Sequence, residues 1–111
     1  MVMKRTFILT ATFERTWAAL DLGDKELQAL EEILLTDPDA GEVIQHLAGA
    51  RKIRISLEGR GKSGGGRVIY VDVVVREEIY LLLAYPKNAQ TDLTPDQRKV
   101  LKALIERIKE G

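Results

Sequence analysis

Two nearly continuous apolar runs constrain this chain more than any other feature: residues 67–75 (RVIYVDVVV) and 79–85 (IYLLLAY), separated only by Arg76, Glu77 and Glu78. Runs this short, this rich in β-branched side chains and this poor in charge are strands. Together they predict a hairpin at the centre of a sheet. Pro86 ends the second run, having no N–H to give to a ladder. Every other segment must flank that hairpin or cover it.

Residues 52–57 alternate strictly, with Ile53, Ile55 and Leu57 on one side and Lys52, Arg54 and Ser56 on the other. That is a half-buried strand with a basic outer face. Residues 4–12 read as a first strand, and residues 13–20 as a short helix turning Trp17 and Leu20 inward. Asp24 can cap a second helix with Leu27, Leu30, Ile33 and Leu34 on one face and Glu31 and Glu32 on the other, stopped by Asp37-Pro38. Residues 40–47 are ambiguous and admit a turn of helix before Gly49 redirects the chain. The last helix is the best specified. Thr94-Pro95-Asp96-Gln97 joins an N-cap, a first-position proline and a capping-box glutamine, and Val100, Leu101, Leu104, Ile105 and Ile108 form the stripe. The expected order is β-α-α-β-β-β-α: one α+β domain over residues 1–111, with an antiparallel-dominated sheet of about four strands and helices packed on one face.

The chain has no cysteine, so disulfides, thiol nucleophiles and cysteine-bound metals are excluded; no metal site and no cofactor are expected. The charged N-terminus leads into no apolar stretch of signal-peptide length and no run could span a bilayer, so the expected location is cytoplasmic, with no membrane contact. The formal net charge is zero, but the charges are segregated. From Asp21 to Glu42 nearly all are acidic, whereas Arg51, Lys52, Arg54, Arg60, Lys62 and Arg67 face only Glu58. A molecule with one acidic and one basic side follows.

Three stretches then form a pattern: Arg51-Lys52-Ile53-Arg54-Ile55, the glycine-rich segment from Gly59 to Gly66 leading into Arg67-Val68-Ile69-Tyr70, and Ile79 through Tyr85-Pro86-Lys87-Asn88. With the acidic helix upstream and Asp92-Leu93-Thr94 opening the last helix, this pattern is similar to the RelE/ParE superfamily of toxins, and most to its HigB-like branch. The resemblance implies a small RelE-like fold and the toxin half of a bacterial toxin–antitoxin pair. It further implies a ribosome-dependent mRNA endoribonuclease that works without metal, with messenger RNA on the ribosome and a cognate antitoxin, a helix-turn-helix protein, as partners. The superfamily also holds gyrase poisons, so a non-enzymatic toxin of the same fold, an inactivated toxin and a nucleic-acid-binding module stay open.

Metal-independent RNA cleavage needs a group to take the 2′-OH proton, positive charge for the phosphate in flight, and an acid for the departing 5′-oxygen. Relatives rely on lysine and arginine for this, and by position the resemblance assigns phosphate contacts to Arg54 and Arg67 and charge stabilisation or acid catalysis to Lys87. Tyr70 could stack on a base or bond the attacking hydroxyl if it shares the open sheet face, against the bland alternative of a packed strand tyrosine. Lys52, Arg60 and Lys62 are expected as peripheral RNA contacts. Gly61-Lys62-Ser63 is not a phosphate-binding P-loop, because position 56 is serine and a strand follows rather than a helix. The glycine-rich segment is either a basic loop tracking RNA or a plain connector. His46 lies outside the cluster and is expected at the surface, Trp17 in the core, and Asn88 in a turn.

Overall fold

The computed structural model describes residues 4–57, 65–90 and 92–111. The order is β1 (Thr6–Leu9), α1 (Ala11–Ala19), α2 (Asp24–Thr36), β2 (Glu42–Val43), β3 (Arg51–Ile55), β4 (Gly66–Val73), β5 (Glu78–Pro86) and α3 (Pro95–Glu110), with a 3₁₀ turn over Val74–Arg76. The sheet runs β1-β5-β4-β3-β2. β1 lies parallel to β5 and every other pairing is antiparallel, so the expected α+β class and the central hairpin are both present.

Local chemistry accounts for the helix ends. Thr10 leaves β1 and caps α1, its Oγ1 accepting the Phe13 amide N–H at 3.1 Å. In α3 the Thr94 hydroxyl accepts the Gln97 amide N–H at 3.1 Å while Gln97 Oε1 accepts the Thr94 amide N–H at 2.9 Å, the reciprocal box that the sequence announces. The cap of α2 differs from expectation. Gly23, not Asp24, occupies it, and the Gly23 N–H donates to Glu26 Oε1 at 2.7 Å. Residues 42–43 form a short fifth strand instead of a helical turn, because the chain between Ile44 and Ala50 folds back as a tight loop closed by the Ile44 N–H on the Ala50 carbonyl.

The three helices do not share one face, as the sequence suggested. Successive residues of a strand point to opposite sides, and Val68 and Tyr70 pack with Phe13, Trp17, Leu30 and Leu34 of α1 and α2, while Ile69 and Val71 pack with Leu101 and Ile105 of α3. The physical reason lies in β4 itself, whose Val68, Ile69, Tyr70 and Val71 are all at most 1 % exposed and so require cover on both sides. Trp17 takes its expected core place on the first face, stacked on Phe13, with its indole N–H on the Gly23 carbonyl at 3.3 Å. Among the described residues no helix is long and apolar enough to cross a membrane.

β5 carries one irregularity that matters for the second face. Ile69 pairs with Leu83 but Tyr70 pairs with Leu81, so Leu82 is an extra residue, a β-bulge that switches the alternation of everything after it. Ile79 and Leu81 therefore face α1 and α2, whereas Leu83 and Tyr85 face the α3 side.

Candidate active site

α3 covers only part of the second face. The remainder is a groove of about 510 Å³ lined by Ala40, Glu42, Lys52, Ile53, Arg54, Arg67 and Lys87. The sheet builds it by register. Glu42 of β2 stands opposite Lys52 of β3, and Arg54 of β3 stands opposite Arg67 of β4. Arg67 in turn stands opposite Tyr85 of β5. Ile53 points the other way, into the first core, which fixes Lys52 and Arg54 on the groove side.

Two arginines directly opposite one another on neighbouring strands repel, an arrangement that ordinarily lowers stability by some tenths of a kcal/mol, roughly 0.2–1. Arg67 is moreover only 8 % exposed. Its guanidinium donates from Nη1 to the Gly66 carbonyl at 3.0 Å, among its contacts. Lys87 reaches the same groove because the bulge at Leu82 has reset β5, and its own amide N–H closes the strand end on the Gly65 carbonyl at 3.0 Å. Among the described residues the groove gathers two guanidiniums and two ammoniums around a single carboxylate, an arrangement that attracts anions. The acidic α2 packs on the opposite face, as the segregated charges foretold.

The structure brings Arg54, Arg67, Lys87 and Lys52 together, and it leaves Tyr70 out. Tyr70 lies three residues from Arg67 on one strand, points to the other face, and is fully buried. Its hydroxyl donates to the Pro38 carbonyl at 2.7 Å and accepts the Gly41 N–H at 3.0 Å. Burial pushes this hydroxyl above the usual tyrosine range. The expected stacking or hydroxyl-bonding role therefore gives way to an anchoring one. Tyr70 and Arg51, which donates to the Gly41 carbonyl at 2.8 Å and pairs with Asp39, pin the loop that delivers Glu42 to the groove. Gly41 is required there, since a Cβ would sit 2.9 Å from both the Lys52 carbonyl oxygen and the Tyr70 ring. Arg60 and Lys62, with most of the glycine-rich segment, lie outside the described residues. His46 is exposed on a tight turn with φ of 62°, and Asn88 is exposed in the turn after β5, both as expected.

Glu42 is the groove residue that sequence reasoning missed. It closes an acidic run in the sequence, and only its pairing with Lys52 reveals it among cations.

Residues 4–110 match the family described as the RelE toxin of the RelE/RelB toxin–antitoxin system, and the chain belongs to that family. The fold is also similar to that of solved relatives. An arginine-to-alanine double mutant of E. coli toxin RelE in the free state superposes with a TM-score of 0.53 at 17 % identity, over 80 % of this chain and 90 % of that one. A chain of the intact E. coli RelBE toxin–antitoxin complex gives 0.55 at 15 % identity, over 74 % of this chain and 95 % of that one. The same mutant RelE bound to an antitoxin RelBc peptide gives 0.52 at 16 % identity, over 74 % and 82 %.

Proposed function

We propose that this RelE-family chain is a ribosome-dependent endoribonuclease of the HigB-like branch, cleaving messenger RNA without metal in the groove on the second face. The carrying observation is the opposed pair Arg54 and Arg67, flanked by Lys52 and Lys87. Cations gathered along one groove attract an anion, and an RNA phosphate is one that guanidinium and ammonium groups bind well. In this reading Arg54 and Arg67 hold the scissile phosphate and Lys52 a neighbouring one. Glu42, the one carboxylate that the described residues place in the groove, takes the proton of the 2′-OH as its oxygen bonds to phosphorus. The bond from phosphorus to the 5′-oxygen breaks, and Lys87 gives that oxygen a proton, leaving a 2′,3′-cyclic phosphate. Positioning by the ribosome supplies part of the rate. A cognate antitoxin, a helix-turn-helix protein, restrains the toxin by covering the groove or its rim.

The test is induced expression without the antitoxin of wild type and of an Arg67→Ala/Lys87→Ala double variant, following growth and mapping RNA 5′ ends. Arrest with cuts in translated messages, both absent in the double variant, is the expected result. Arrest without cuts moves the target away from RNA, toward gyrase, and absence of arrest removes the toxin assignment for this chain.

A further inference from the structure

Tyr85 carries an unspent hydrogen bond beside the groove. Its side chain lies on the groove face, opposite Arg67 across the β4–β5 ladder and two residues before Lys87, and it is 5 % exposed. The hydroxyl oxygen is buried without any hydrogen-bond partner, the one side-chain oxygen or nitrogen so placed among the described residues. Burying a hydroxyl unpaired is unfavourable, and phenylalanine would fill the same space among Leu83, Leu93 and Leu101 without that penalty. A tyrosine here is therefore explained by a contact made in another arrangement of its neighbours.

Those neighbours are a cation and an anion. Arg67 stands opposite Tyr85 on the neighbouring strand, and Asp92 adjoins Leu93, which belongs to the same core cluster as Tyr85. Burial raises the affinity of the Tyr85 hydroxyl for its proton, Asp92 adds to that effect and Arg67 opposes it. Asp92 Oδ1 accepts the Leu93 N–H at 2.8 Å, which leaves its second oxygen as a further acceptor. Arg67 donates Nη1 to the carbonyl of its own neighbour Gly66, a contact that a phosphate in the groove would compete for. A tyrosine hydroxyl can accept from a guanidinium and donate to a carboxylate at once.

We propose that Tyr85 is a positioning residue for Arg67: when an RNA phosphate draws the guanidinium off the Gly66 carbonyl, the hydroxyl accepts an Arg67 N–H and donates to Asp92. This rests on the reading of the groove as an RNA phosphate site. The guanidinium is then held from behind, facing the phosphate. Tyr85 does not touch RNA.

The experiment is a double-variant cycle on RNA affinity, using a short fluorescein-labelled single-stranded RNA at low salt with wild type, Tyr85→Phe, Arg67→Ala and the double variant, and a thermal melt of each. Tyr85→Phe is expected to weaken binding about tenfold, the share of one charge-assisted hydrogen bond, without lowering the melting temperature. In the Arg67→Ala background it should have no further effect, because the hydroxyl acts through that guanidinium. Unchanged affinity in Tyr85→Phe overturns the proposal. An equal loss in both backgrounds overturns it too, since the hydroxyl would then act independently of Arg67. A drop in melting temperature means that the hydroxyl is already bonded in the fold, and it refutes the premise. Failure of wild type to bind RNA strikes the groove reading itself and takes this proposal with it.

Discussion

Two buried tyrosines on neighbouring strands face opposite sides of the same sheet, and their hydroxyls have opposite fates. Tyr70, against α1 and α2, both donates and accepts within the fold, and it ties down the loop before β2. Tyr85, on the α3 side, has no partner and stands beside opposed arginines. On the first face the tyrosine hydroxyl is matched inside the protein; on the second, among the described residues, four cations line one groove and a tyrosine hydroxyl stands without a partner. In the proposed reading a division of roles runs across the sheet: Tyr70 anchors a loop on one face, and the groove beside Tyr85 takes the RNA on the other.

The sharpest way to break that division is Glu42→Gln, which keeps the shape of the groove and removes the one carboxylate that the described residues place there. Cleavage of translated message should fall by about 10²–10³-fold, as expected when a general base is lost. Binding of RNA should tighten slightly, because a negative charge has left a basic groove. Single-turnover rates and affinities measured side by side check this, and equal cleavage by the variant would place the proton acceptor elsewhere.

Next in size is Tyr70→Phe, which should behave as a first-face change. It leaves the Pro38 carbonyl and the Gly41 N–H without the partner that both now share. The expected loss is about 2–3 kcal/mol, or roughly 10 °C in melting temperature for a domain of this size. RNA affinity should stay within about twofold of wild type, at the level expected for a residue outside the groove. A large loss of affinity with little change in the melt would show that the two faces are coupled through the loop to Glu42.

Much of this was legible in the sequence, and its gaps have physical causes. The capping box of α3 needs only residues close together in the chain, so it could be read directly. The four-residue stretch from Val68 to Val71 is apolar on both sides, which already demands cover on both faces and contradicts helices on one. Arg67 and Tyr70 are an odd number of residues apart in one strand, so they could never share a face. That parity answers from the sequence the condition on which a role for Tyr70 depended, namely that it share the open face. Lys87 is different. By simple alternation along β5 its aim depends on the bulge at Leu82, which no local pattern announces. Glu42 is different again, because its place beside Lys52 follows from strand register across a loop that only tertiary contacts define.

The smallest expected effect reads the two tyrosines against each other through pH. Burial is the first cause that raises both hydroxyls above the ordinary tyrosine value of 10.0. The folded state therefore holds protons that the unfolded chain releases near 10.0. Below that value the contribution of these groups to stability is fully present, and it is lost as pH rises from there through the folded values, by at most about 1.4 kcal/mol per pH unit for each group. Melts across the alkaline range should show this decline in wild type and a shallower one in either phenylalanine variant. What separates the two variants is the starting level at neutral pH. Tyr70→Phe begins low, having lost two hydrogen bonds, and Tyr85→Phe begins at or above wild type, having lost none. If Tyr85→Phe declines as steeply as wild type, its hydroxyl is not shielded in solution, and the contrast between the faces reduces to the charged groups alone.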